Sequence, residues 1–108
     1  MPIRVQAEKM LHHVGAGWQE IVLANLDGLN IPGVRLSQWK LDPEKMGPEQ
    51  YHGNAEGFLY VSRGSGTIWV NECPWPLAPE TVVWLEPGDR YRIQAGSEGI
   101  EILHAVVE

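Results

Sequence analysis

The sequence predicts an all-β fold, a small antiparallel sandwich or barrel built as one domain. Three observations carry this. Twelve Gly and eight Pro among 108 residues fall in clusters that cut the chain into short pieces. The pieces between clusters alternate apolar with polar residues or are rich in β-branched and aromatic side chains. The length suits a single hydrophobic core.

From the N-terminus, Met1 to Val5 has no apolar run of a signal peptide. Ala7, Met10, Leu11 and Val14 fall at i, i+3, i+4 and i+7 before Gly15, which predicts one or two turns of helix. His12 and His13 would cap its C-terminal end, where imidazolium suits the negative end of the helix dipole. Strands are expected at Glu20 to Ala24, Val34 to Leu41, Phe58 to Ser62, Thr67 to Val70, Thr81 to Leu85, Tyr91 to Ile93 and Ile100 to Val107. Turns are expected at Asp27-Gly28, Pro32-Gly33, Gly64-Ser65-Gly66 and Pro87-Gly88-Asp89. Within Val34 to Trp39 the alternation puts Val34, Leu36 and Gln38 on one face and Arg35, Ser37 and Trp39 on the other. Residues 1–33 read as a segment whose helix and strand complete the barrel or a dimer, and residues 34–108 as the barrel itself.

Composition removes several function classes. With 44% hydrophobic and 20% charged residues the chain is globular rather than disordered. Eight Lys and Arg against fourteen Asp and Glu give 8 − 14 = −6, a field that repels phosphate backbones and anionic lipid, so neither nucleic acid nor membrane is an expected partner. One cysteine, Cys73, closes no internal disulfide, and a reducing cytoplasm is the expected setting. Five Trp stand against one Phe. Such rings fill small barrels, line ligand pockets and cover dimer faces. Trp75, flanked by Pro74 and Pro76, is expected in a loop at a rim or interface, unable to pair in a sheet.

From Met46 onward, Gly47-Pro48-Glu49-Gln50-Tyr51-His52-Gly53-Asn54-Ala55-Glu56-Gly57 leads into Tyr60-Val61-x-x-Gly64-x-Gly66. This resembles the first motif of the cupin superfamily, G-x5-H-x-H-x3,4-E-x6-G. The second motif, G-x5-P-x-G-x2-H-x3-N, is matched in spacing by Gly88, Gln94, Gly96, Gly99 and Leu103, keeping both glycines and losing its Pro, His and Asn. The resemblance covers about Val34 to Val107. It implies a double-stranded β-helix, a jelly-roll-like antiparallel barrel, and in the family a divalent transition metal held by three His and one Glu. Anchored on Gly64, the two His positions of the first motif fall on Gln50 and His52, its Glu on Gly57, and the second-motif His on Gly99. Anchored on Gly66, His52 and Asn54 take the His positions and Leu59 the Glu. His52 survives in both registers.

Other residues offer a rebuilt site. Glu56 lies one residue from the ligand position, so alternation turns it to the opposite face unless a bulge returns it. His104 shares a face with Ile102 and Val106, and it meets His52 if that face is inward. The plainer reading makes each a half-buried imidazole bonded to a neighbour. Glu44, Glu49 and Glu56 are by default solvated carboxylates.

The resemblance and the residues together imply a cupin that binds a small molecule and lacks the usual metal site. It holds or isomerises an organic ligand, with His52 as acid/base and Gln50, Glu56, Trp39 and His104 around the ligand. Two alternatives stay open. One is a divalent-metal enzyme of dioxygenase or lyase type, with the metal at His52, Glu56 and His104; the other is a non-catalytic sensor or assembly module. The resemblance also implies a homodimer, with Trp75, Val82, Val83 and Trp84 as contributors.

Overall fold

A computed structural model describes residues 11–24 and 34–107. The strands are β1 (Leu11–Gly15), β2 (Trp18–Ala24), β3 (Val34–Leu41), β4 (Gln50–Tyr51), β5 (Glu56–Val70), β6 (Cys73–Leu77), β7 (Val82–Leu85) and β8 (Arg90–Val107). All pairings are antiparallel, in the order β1-β2-β3-β8-β5-β6, with β4 added to β8 and β7 to β5. Among the described residues there is no helix, so none is long and apolar enough to cross a membrane.

Two long strands close the structure on itself. The last eight residues of β8 pair with β3 while its first two pair with β4; the first part of β5 pairs with β7 and its last part with β6. Both strands therefore belong to both walls of the barrel and must bend midway. The bend sits at Gly64 and Gly99, with φ of 80° and 78°. A Cβ on Gly64 would lie 2.2 Å from the Gly99 carbonyl oxygen, so only glycine permits this approach. The Gly64-Ser65-Gly66 turn expected from sequence is thus an irregularity inside one continuous strand, with register shifts on either side of Arg63–Gly64. A bend in a barrel corner and a turn ask for the same residues, which is why the sequence suggested a break.

Two further expectations change. The described part of the N-terminal helix, Leu11 to Gly15, is strand β1, joined to β2 through Gly17 at φ 80°. Val14 is 73% exposed, so the four-residue apolar spacing marks no buried helical face, and pairing with β2 prevails. Ala7 and Met10 lie outside the described residues. His12 and His13 accordingly sit in a ladder opposite Ile21 and Glu20 and cap no helix. Trp75 is not in a loop: β6 pairs with β5, Trp75 opposite Ile68. It is an edge strand, where Pro74 and Pro76 can turn their missing N–H groups outward.

The core gathers Trp39, Leu41, Leu59, Val61, Ile68, Leu77, Leu85, Tyr91, Ile93, Ala95, Ile100 and Ile102. Burying each large apolar side chain is worth roughly 1.5–3 kcal/mol. Val83 packs against this core, whereas Trp75, Val82 and Trp84 stay more than half exposed.

Candidate functional site

The cross-strand register sets out the interior in rows. Next to the glycine bend, Leu41, Ile100 and Gly64 stand abreast; then come Trp39, Ile102 and Val61; then Ser37, His104 and Leu59; then Arg35, Val106 and Gly57. Residues directly opposite in an antiparallel pair share a face, so polar side chains enter the interior as the rows leave the bend.

Three of them form a hydrogen-bonded chain. The Tyr91 hydroxyl lies 2.6 Å from His52 Nε2 and 2.6 Å from His104 Nε2. Tyr91 comes from the first part of β8 and His104 from the second, so one bent strand supplies both sides of the contact. Tyr91 is placed by the Pro87-Gly88 turn. Asp89 there accepts from the Glu86 N–H and from Asn71 Nδ2, and Asn71 Oδ1 accepts from the Arg90 N–H. His52 follows β4 in a tight turn in which the Ala55 N–H donates to its carbonyl. The Gly88 N–H donates to Gly53, tying the two turns together.

Burial controls the protonation of the chain. Burial first, then the nearby Arg35 guanidinium, holds His52 below the ordinary imidazole range. Burial, then His52, then Arg35 take His104 down to about 3. Burial also pushes the Tyr91 phenol well up, with Arg35 opposing and Glu20 adding to the rise. All three are neutral near pH 7. A phenol has one proton to donate, so Tyr91 gives it to one Nε2 and accepts an N–H from the other, and the two imidazoles are opposite tautomers.

Beside the chain lies an ion pair whose carboxylate is buried and whose guanidinium reaches toward solvent. Glu20 is 5% exposed, and Arg35 Nη2 donates to both of its oxygens, at 3.1 and 3.2 Å. Ser37, opposite His104, is fully buried, and its Oγ has no hydrogen-bond partner among the described residues. A small cavity borders the chain, lined by Trp39, Leu41, Gly47, Pro48, Gln50, Leu59, Tyr91, Ile93 and His104. Its free space of about 10 Å³ holds roughly one water molecule. Trp39 is braced by Trp18, their rings 5.3 Å apart.

Of the residues the sequence singled out, His52 and His104 come together, with ring centroids 5.2 Å apart; His104, Gln50 and Trp39 line the cavity, and His52 stands behind Tyr91 outside that lining. Glu56 does not. It is exposed, with no bulge to return it to the inner face. Glu44 and Glu49 are exposed as well. The chain's residues do not fit the family's metal centre. A Cβ at Gly57 would lie 2.7 Å from the Ala105 carbonyl and one at Gly99 2.8 Å from that of Leu41, so backbone closes two of the four ligand positions. Among the described residues no three His, Cys, Asp or Glu converge. Sequence reasoning missed Tyr91, Glu20 and Arg35 as functional groups. For Arg35 a signal existed, a charge in phase with Trp39 on an inward face. Tyr91 read only as a strand residue, since its partners lie 39 and 13 positions away.

The AraC-like ligand-binding domain model matches residues 32–105. The chain belongs to that family. Solved structures similar to this AraC-like domain include a predicted oxalate decarboxylase from Thermotoga maritima (TM-score 0.82, 15% identity, covering 97% of this chain and 98% of that one). A sugar phosphate isomerase of the cupin superfamily from Silicibacter pomeroyi matches with TM-score 0.81 and 12% identity, over 98% of this chain and 76% of that one. The polyketide cyclase RemF from Streptomyces resistomycificus matches with TM-score 0.80 and 15% identity, over 99% and 80%. At these identities the likeness establishes the cupin fold of the AraC-like domain and nothing about its chemistry. No curated protein matches it by sequence.

Proposed function

We propose that this AraC-like domain binds a small organic molecule at the polar end of its barrel, without a metal. The observation that carries the reading is the His52–Tyr91–His104 chain, three neutral polar groups converging beside the apolar core. Buried polar groups are retained at a cost in stability, and a few of them against aromatic walls is the usual make-up of a ligand pocket. The ligand takes its polar contacts from this chain and from Gln50, and its apolar contacts from Trp39 and Leu59. It makes room by displacing the Gly47 to Gln50 stretch, which β8 holds through the Gln50–Tyr91 pair and the bond from the Gly47 N–H to the Ile93 carbonyl.

A second reading rests on the same geometry. A neutral imidazole held by the Tyr91 hydroxyl can take a proton from a bound molecule and return it, which suits isomerisation with His52 as the acid/base. We further infer a homodimer in a cytoplasmic setting, formed over the exposed Trp84, stacked on Phe58 at 5.9 Å, together with Val82 and Trp75. A sedimentation mass of one chain at micromolar concentration would count against the dimer.

The test of binding is a thermal-shift screen of small polar organic compounds. A true ligand at a hundredfold excess over its Kd raises Tm by more than about 5 °C. The rise is lost in Tyr91→Phe. A ligand whose shift survives both Tyr91→Phe and His104→Gln binds elsewhere and ends this proposal.

A further inference from the structure

Arg35 and Ser37 follow Trp39 on the inward face of β3, in the rows beside the small cavity rather than in its lining. Arg35 reaches Glu20 through Nη2 alone, which leaves the Nε and Nη1 donors of a guanidinium with no other partner among the described residues. Its side chain is 45% exposed while that of Glu20 is 6% exposed, so the cation stands nearer the solvent and the carboxylate is sealed behind it. Two positions along the same face, Ser37 Oγ is a buried hydroxyl without a partner. A hydroxyl sealed in a core normally finds a bond, and one that has none is a donor waiting for an acceptor. After burial, Arg35 and not Glu20 acts on both imidazoles, and at Tyr91 its influence exceeds that of Glu20. At these three groups the Arg35 guanidinium outweighs the Glu20 carboxylate, in a chain whose net charge is −6.

We propose that the ligand is a small organic carboxylate, its anionic group accepting from the free Arg35 donors and from the Ser37 hydroxyl while its body lies against His104, Trp39 and Leu59. A carboxylate has two oxygens with lone pairs for several donors and no proton to present to Arg35, the complement of what this face offers. The neutral imidazoles and phenol hydrogen-bond to the rest of the molecule and add no charge. Glu20 holds the guanidinium in place and moderates its attraction, so that a passing anion is not trapped. This inference rests on the binding reading above.

The experiment compares matched acids and amides, benzoate with benzamide and propionate with propionamide, titrated into the whole protein. Binding is followed by tryptophan fluorescence and by the indole N–H signal of Trp39 in nitrogen-15 spectra. The acids are expected to bind at least tenfold more tightly than their amides. Arg35→Gln should remove that preference and leave amide affinity within about twofold. Because Arg35→Gln strands a buried carboxylate, the double variant Glu20→Gln with Arg35→Gln serves as the neutral, folded control. Glu20→Gln alone should tighten acid binding several-fold, an outcome that a merely structural ion pair does not produce. Equal binding of acid and amide, or an acid preference that survives the double variant, overturns the carboxylate and leaves the pocket standing. If neither member of any pair moves the Trp39 signal, the pocket reading falls with it.

Discussion

The two ends of the barrel interior are built from the same strands yet hold opposite chemistry. Next to the glycine bend, Val61, Ile68, Ile100 and Ile102 are at most 3% exposed, and the rows are filled by branched aliphatic side chains. At the far end β3 presents Arg35 and Ser37 and β8 presents His104 and Tyr91, joined by His52 and Glu20. The first end contributes stability through area removed from water. The second spends part of that stability on desolvated polar groups, which natural cores keep mainly where they serve recognition or catalysis. Fold and function are thus separated along the strands.

That contrast can be tested by perturbing each end in turn. The largest effect expected is acid lability confined to the polar end. His104 holds its pKa near 3 when folded, against about 6.5 in an unfolded chain, so the unfolded state takes up a proton that the folded state refuses. The resulting stabilisation is complete above about pH 7 and is lost as the pH falls from 6.5 toward 3, by roughly 3–5 kcal/mol. Urea unfolding between pH 4 and 8 reads it. His104→Gln should flatten most of the slope, and parallel curves for the variant and the parent would refute the assignment.

Next in size is Ile102→Ala, which opens a cavity at a fully buried position and should cost about 2–5 kcal/mol. Denaturant midpoints report it, and the pH slope should be unchanged because the aliphatic end carries no titrating group. Tyr91→Phe keeps the ring and removes the hydroxyl between two buried imidazoles, for about 1–3 kcal/mol. A loss below half a kcal/mol would show that the imidazoles find other partners. The smallest change is Ser37→Ala. With no bond to lose, it should move stability by less than about 0.5 kcal/mol in either direction. A larger loss by calorimetry would mean that an ordered water holds the hydroxyl in the free protein.

The difference between the two ends also marks how far the sequence could be read. Alternation located these strands well, since Val34 to Leu41 and Ile100 to Val107 are both strands, but it left open which face of each turns inward. It could not show that Phe58 to Ser62 and Thr67 to Val70 are one strand, since Gly64 looks alike in a bend and in a turn. The helix expected near Leu11 rested on four side chains, too few to outweigh a ladder with β2. At the polar end, the motif pointed to His52, and strand phase put His104 on a face that could meet it. Glu56, expected beside the ligand, is exposed, because strand alternation with no bulge turns it away from the interior. Tyr91 stayed hidden because its partners are brought to it by the bend in β8 and by the tie between the Gly53 and Gly88 turns, neither of which has a local signature.

The two-sided membership of β8 has one more consequence. His104 points inward between Leu103 and the buried Ala105, whose side chains alternate to the other face of the same strand, opposite Tyr60 and Phe58. On the binding reading proposed above, a guest that parts His104 from Tyr91 moves a strand whose other face meets Tyr60 and Phe58 with no loop between.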